Sequence, residues 1–195
     1  MSMPLKLGCL LMAAGNAARF GQNKLLADLD GKPLIRLALD VIPAPLFSAV
    51  TVVTQYDEVA ALAAQYGFSV LRNDRPELGI SHTIRLGTAA MSECDGILYL
   101  PADQPLLRRQ TVERMINCFL KNSNCIVGAA CGGRRGSPNL FPADLFPELL
   151  ALTGDRGGSS IIQKNISRYL PIDAAACELA DCDTPQGLAM LKTVE

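Results

Sequence analysis

Leu10-Leu-Met-Ala-Ala-Gly-Asn-Ala-Ala-Arg-Phe-Gly-Gln-Asn-Lys24 is an apolar run that turns abruptly into a small-residue loop with two positive charges. Leu5 to Met12 reads as a buried strand, because it is short, apolar and followed at once by small residues and Gly15. A parallel strand ending there points its loop outward. Ala13, Ala14, Gly15, Ala17 and Ala18 put little bulk on that loop, so a ligand can approach backbone N–H groups closely, and such a nest suits phosphate oxygens. Arg19 can fork two hydrogen bonds onto a phosphate and Lys24 can act as a point charge, a pair that suits a polyphosphate better than a carboxylate. The alternative is an ordinary tight βα connection with two solvated basic residues. The spacing matches neither G-x-G-x-x-G nor G-x-x-x-x-G-K-[ST], since Gly15 and Gly21 are six apart and Lys24 follows the second glycine. Dinucleotide and P-loop readings lose ground accordingly.

Outward from this loop, strands and helices alternate. Asp30-Gly31-Lys32-Pro33 is a turn signal, and Leu34, Leu37, Ala38, Val41 and Ile42 repeat at helical spacing until Pro43 and Pro45. Ala49 to Thr54 is a Val- and Thr-rich strand, and Val59, Leu62, Ala63 and Tyr66 share a helical face that Gly67 ends. Phe68 to Asn73 and Ile97 to Leu100 predict further strands with a helix between them, Thr111 to Lys121 an amphipathic helix, and Cys125 to Cys131 a fifth strand. Beyond it, Gly132 to Gly136 reads as a turn, Asn139 to Phe141 as a short strand, and Pro142 to Leu150 as containing a helix. Such alternation implies crossovers, hence a mostly parallel sheet covered on both faces. The expected fold is a single doubly wound α/β domain over residues 1–195, with ligands bound beyond the carboxyl ends of its strands.

Bulk properties agree with a well-packed chain. The 195 residues are 49% hydrophobic, and the mean hydropathy is +0.22. With 18 basic and 19 acidic residues there is no basic field of the kind that nucleic-acid binding relies on. The seven cysteines are scattered without a C-x-x-C pair, which argues against a disulfide framework or a zinc site. No stretch approaches a membrane span and Met1 to Lys6 lacks a signal-peptide pattern, so a cytoplasmic setting is expected.

Two acidic segments stand out. Pro101-Ala102-Asp103-Gln104-Pro105 follows directly on a strand, placing the Asp103 carboxylate near the Gly15 loop. There it can help hold Mg²⁺, which takes one or two protein carboxylates and fills its remaining positions with phosphate oxygens and water. The plain reading is a turn or capping Asp between prolines. Asp181-Cys182-Asp183-Thr184-Pro185 precedes a last helix with Leu188, Met190 and Leu191, and on its own is an ordinary N-terminal cap. Gly79 and Ser81, within Glu77-Leu78-Gly79-Ile80-Ser81-His82-Thr83-Ile84-Arg85, can begin a helix whose N–H groups face a ligand. His82 is the only histidine; with no acidic partner evident, it reads as a helix-start or solvent-facing residue rather than a base.

Taken in order, Ala13-Ala14-Gly15, Arg19-Phe20-Gly21 and Lys24 resemble the signature loop of the MobA-like nucleotidyltransferases, especially the molybdenum cofactor cytidylyltransferase (MocA-like) branch. Asp103-Gln104-Pro105 resembles that family's metal-binding D-x-P, and Asp181 to Pro185 its second metal-binding segment, which carries the role to Asp183. Glu77 to Arg85 is similar to the stretch lining the nucleotide pocket, with Thr83 where Ser is common. Gly136-Ser137-Pro138-Asn139-Leu140-Phe141 and Gly154-Asp155-Arg156-Gly157 resemble segments that shape the acceptor side, which points to Gly136, Pro138 and Asp155.

The resemblance implies transfer of a nucleoside monophosphate from an NTP, CTP favoured, to the phosphate of molybdopterin or its molybdenum-loaded form, with pyrophosphate leaving. It implies Mg²⁺, with Mn²⁺ as a substitute, and a molybdoenzyme as recipient of the product. Ala13, Ala14, Gly15, Arg19, Lys24, Gly79, Ser81 and Thr83 would bind nucleotide, Arg19, Lys24 and Asp103 would act in catalysis, and Asp103 and Asp183 would hold metal. Lys24 is expected on an exposed loop, contributing little to stability. Rival readings are a guanylyl- or sugar-phosphate nucleotidyltransferase, a non-catalytic module that hands cofactor to a molybdoenzyme, and a nicotinamide oxidoreductase.

Overall fold

The first strand, β1 (Leu7–Ala13), sends alternate side chains to opposite faces, and both faces are buried. In this computed structural model, which describes residues 4–15 and 23–191, β1 is central. A small hairpin follows, β2 (Asp28–Leu29) and β3 (Lys32–Pro33), then α1 (Leu34–Asp40), β4 (Ala49–Thr54), α2 (Asp57–Gln65), β5 (Ser69–Arg72) and α3 (Ile80–Ala90). The chain continues through β6 (Gly96–Pro101), α4 (Arg109–Lys121), β7 (Ile126–Cys131), β8 (Arg134–Pro142), α5 (Phe146–Leu150), α6 (Ser159–Lys164), β9 (Tyr169–Asp173) and α7 (Pro185–Leu191).

Seven strands form one sheet in the order β5-β4-β1-β6-β8-β7-β9. β1 runs parallel to β4 and β6, β4 to β5, and β7 to β9, whereas β8 is antiparallel to both β6 and β7. The expected doubly wound, mostly parallel sheet is therefore present, with one reversed strand. That strand corrects the boundaries read from sequence: the turn is confined to Gly132 and Gly133, while Arg134 to Gly136 already pair in β8. Periodicity alone does not reveal the hairpin, α6 or β9.

Strand alternation feeds two cores. Cys9, Leu11, Val52, Leu98 and Leu100 meet Ile35, Leu39, Val59, Val112, Met115 and Phe119 from α1, α2 and α4. On the other face Leu10, Val53, Ile97, Tyr99 and Phe141 meet Ile84, Phe146, Leu149 and Ile161 from α3, α5 and α6. α3 lies so close to β1 that a Cβ on Gly87 would sit 2.4 Å from the Leu10 methyls. After β1 the chain winds outward through β4 to β5, then returns to place β6 on the other side of β1. This reversal opens a crevice beyond the carboxyl ends of β1 and β6, the usual ligand position in such sheets. Among the described residues no helix is long and apolar enough to cross a membrane.

Candidate active site

β1 ends at Ala13, and the loop that follows is braced from β4 and the residues after it. Thr54 Oγ1 donates to the Ala13 carbonyl at 3.0 Å, Gln55 Nε2 to the Ala14 carbonyl at 2.9 Å, and the Tyr56 hydroxyl to the Gly15 carbonyl at 3.0 Å. These bonds hold the carbonyls of Ala13, Ala14 and Gly15, the described start of the loop, against β4 and the residues after it. Sequence reasoning missed this brace. Its signal was the parallel pairing of β4 with β1, which sets Thr54 opposite Ala13. Arg19 lies outside the described residues.

Lys24 opens a short 3₁₀ turn, Lys24–Leu26, which the Asn23 side chain caps by accepting from Leu25 N–H at 3.1 Å. Buried Leu25 anchors the turn. Lys24 Nζ stands 2.7 Å from Asp103 Oδ2 and 2.7 Å from Asp183 Oδ1. Its side chain is only 13% exposed, which corrects the expectation of a loosely exposed loop lysine with little bearing on stability. Burial alone would lower its pKa, but hydrogen bonds and charge from Asp103 and Asp183 more than offset this and raise it. The ammonium is thus firmly cationic at neutral pH.

Asp103 lies just past β6, and Asp183 just before α7. The Cys182 N–H donates to the Asp103 carbonyl at 2.8 Å, so the two acidic segments touch through backbone as well. Gln104 is buried; its amide donates to Asp181 Oδ1 at 3.0 Å. Burial pushes the Asp181 pKa up, the Gln104 bond pulls it back, and the neighbouring charges of Asp103 and Asp183 push it up again. Among the described residues no cluster of three or more His, Cys, Asp or Glu forms a protein-only metal cage. What is present is a pair of carboxylates converging on one cationic atom. That donor set fits Mg²⁺ or Mn²⁺ completed by phosphate oxygens and water, and does not suit a closed structural site.

A cavity of about 600 Å³ opens here, walled by Ala13, Ala14, Gly15, Lys24, Gly79, Thr83 and Asp103 among others, a size suited to a ligand as large as a nucleotide. Thr83 Oγ1 accepts from the Asn73 amide at 3.1 Å. Ser81 is buried and its hydroxyl turns to the Leu78 carbonyl at 3.4 Å, so it is not on the wall. The first N–H groups of α3 are also engaged: Ile80 donates to Asp155 Oδ1 at 3.4 Å and Ser81 to the Gly154 carbonyl at 3.3 Å. Gly79 permits this contact, since its φ is +78° and a Cβ there would lie 2.7 Å from the Gly154 carbonyl.

A second cavity of about 340 Å³ shares Met12, Ile80, Ser137 and Asp155 with the first. Asp155 thus stands on the wall of both. Gly136 and Pro138 flank Ser137 on β8 without lining either cavity. His82 sits in the first turn of α3, off the wall, as its reading as a helix-start residue anticipated.

A sheet with its crevice at the β1/β6 reversal, a loop braced at its start and a lysine shared by two carboxylates beside a cavity make up the candidate site of an α/β domain. Residues 9–169 match the MobA-like NTP transferase domain, and the chain belongs to that family of nucleotidyltransferases. It is 28% identical over 205 residues to the purine catabolism protein PucB of Bacillus subtilis, covering 98% of each chain. It is 26% identical over 137 residues to the molybdenum cofactor guanylyltransferase of Shewanella putrefaciens, covering 70% of this chain and 68% of that one. The bifunctional protein GlmU of Rhizorhabdus wittichii is 32% identical over 114 residues, 55% of this chain; the match spans only 25% of GlmU's length.

The fold is shared with Rv0371c of Mycobacterium tuberculosis H37Rv, with a TM-score of 0.81 at 23% identity over 99% of this chain and 100% of that one. The manganese complex of Rv0371c superposes at 0.74, with 22% identity over 97% and 100% of the two chains. CMP:2-keto-3-deoxy-manno-octonic acid synthetase complexed with CTP also superposes at 0.74, with 14% identity over 96% and 97%.

Proposed function

We propose that this chain, acting as one domain over residues 1–195, transfers CMP from CTP to the phosphate of a molybdopterin-type acceptor. An acceptor phosphate oxygen attacks the α-phosphorus, a P–O bond forms, the bond to the β-phosphate breaks, and pyrophosphate leaves. The observation that carries this reading is the placement of Lys24 between Asp103 and Asp183 at the mouth of the Ala13–Gly15 loop. Positioning and charge stabilisation do most of the work in such transfers.

In this scheme Lys24 meets the α-phosphate, while Gly15, the neighbouring N–H groups and Arg19 receive the departing β,γ-phosphates. Asp103 and Asp183 would hold Mg²⁺, or Mn²⁺ in its place, and the ion would neutralise phosphate charge. Ala13, Ala14, Gly79 and Thr83 line the nucleotide side, with Ser81 supporting it from beneath. Asp155 borders the acceptor side, with Gly136 and Pro138 setting Ser137. The acceptor is already an anionic phosphate, so no histidine base is required. Delivery of the product to a molybdoenzyme, in the cytoplasm, completes the proposal.

Support for cytidine comes from the resemblance of Leu11-Met12-Ala13-Ala14-Gly15 to the cytidylyl branch. A second reading, guanylyl transfer, is favoured by the likeness to a molybdenum cofactor guanylyltransferase. Pyrophosphate release measured with molybdopterin as acceptor, comparing CTP and GTP with Mg²⁺, separates them. Faster release with CTP supports the first reading, faster release with GTP the second, and no release with either contradicts both.

A further inference from the structure

Glu178 is a carboxylic acid side chain only 3% exposed, with no basic side chain among the described residues bonded to it. Its oxygens accept three hydrogen bonds: from Thr111 Oγ1 at 2.6 Å, Arg108 N–H at 3.1 Å and Ala175 N–H at 3.2 Å. Two of these donors belong to the start of α4. That helix begins after Arg108 with no side-chain cap and no acidic residue in its first turn. The Arg108 carbonyl accepts from the Thr111 N–H at 3.0 Å, and the Arg108 N–H and the positive dipole end call for an acceptor from elsewhere. Glu178 supplies one from a segment 67 residues further on.

The same segment carries Asp183. It is tied at successive points: Arg114 of α4 donates to the Asp173 carbonyl at 2.7 Å, Gln104 donates to Asp181, and Cys182 N–H donates to the Asp103 carbonyl. Glu178 is the buried charged-type group in this series, and it fastens the segment to the helix that follows the Asp103 loop. We propose that Glu178 is a positioning residue for the site: by clamping residues 175–183 onto the start of α4, it holds the Asp183 carboxylate opposite Asp103. This rests on the reading of Asp183 as a metal-holding carboxylate.

The test uses Mn²⁺ as probe, with free Mn²⁺ followed by electron paramagnetic resonance in the presence of CTP, and kcat and KM for CTP measured alongside. Wild type is compared with Glu178→Gln, Asp183→Asn, the double variant and Thr111→Val. Outer supports of metal ligands typically alter metal affinity by about tenfold or more. Glu178→Gln is expected to weaken Mn²⁺ binding by about that factor and to lower kcat more than it raises KM. In the Asp183→Asn background the same change should cost nothing further, because its route is already removed. Thr111→Val, which deletes one of the three bonds to Glu178 together with the 3.2 Å bond that Thr111 Oγ1 accepts from Arg114, should give a smaller loss and carries the test if Glu178→Gln fails to fold. Wild-type Mn²⁺ affinity in Glu178→Gln or, failing that, Thr111→Val, with a loss in Asp183→Asn, overturns the positioning role alone. An equal further loss in the double variant overturns it too. Wild-type affinity in Asp183→Asn overturns both this role and the metal reading beneath it.

Discussion

Lys24 and Asp103, 79 residues apart in sequence, meet at 2.7 Å across the carboxyl ends of adjacent strands β1 and β6. Asp183 closes on the same ammonium from the other side at 2.7 Å. Lys24 therefore has two jobs, facing the cavity and separating two carboxylates. Lys24→Met is expected to lower turnover by more than about tenfold through loss of charge stabilisation. In EDTA it should also lose about 1 kcal/mol of stability, a figure kept small because the Asp183 side chain is 53% exposed. Urea unfolding should show Mg²⁺ restoring more stability to the variant than to wild type. Equal stability with and without Mg²⁺ in both proteins would contradict the account.

Asp181 gives a pH prediction. Its pKa is raised above the ordinary 3.8, first by burial. A carboxyl so raised contributes fully below that value, and its contribution is lost as pH rises through the folded-state pKa. The ionised form is thus a burden at neutral pH. Asp181→Asn, which keeps an oxygen for the Gln104 amide, should raise the melting temperature at pH 7 in metal-free buffer. The gain should vanish below pH 3.8. A variant less stable than wild type at pH 7 would show that the charge is compensated.

The loop brace can be loosened without touching the loop. Tyr56→Phe removes the bond to the Gly15 carbonyl and leaves the ring in place. A hydrogen bond is worth about 1 kcal/mol, so KM for the nucleotide should rise roughly three- to tenfold with little change in melting temperature. An unchanged KM would mean that the loop keeps its shape without this contact.

Gly79 joins the nucleotide-side helix α3 to the Gly154–Asp155 segment. Gly79→Ala combines an unfavourable φ of +78° with a Cβ 2.7 Å from the Gly154 carbonyl. A cost of about 2 kcal/mol or more is expected, lowering the melting temperature by roughly 4–8 °C. A thermal melt superimposable on wild type would show that the two segments can part freely.

The fold was readable wherever local pattern and tertiary role coincide. β4 stands at Ala49 to Thr54, where its sequence predicts it, because its β-branched run is bounded by clear breakers. Asp103 could be placed because it follows directly on an apolar strand. β8 reads short in the sequence because Arg134-Arg135-Gly136-Ser137-Pro138 has turn chemistry, and pairing of Arg134 and Arg135 with β7 is what extends the strand back to them. Lys24 looked exposed because nothing local reveals that Asp103 and Asp183 fold over it. Glu178 carried no signal at all: a lone acid in Ala174-Ala175-Ala176-Cys177-Glu178-Leu179 acquires meaning only from the helix it meets.

The most direct test is a thermal-shift titration of wild type and Asp103→Asn with CTP, each with and without Mg²⁺, since a ligand that binds the native state raises its melting temperature by mass action. The account predicts that CTP stabilises wild type only when Mg²⁺ is present, and that Asp103→Asn loses this response while remaining folded. Full Mg²⁺-dependent stabilisation of Asp103→Asn by CTP would contradict it and place the metal elsewhere.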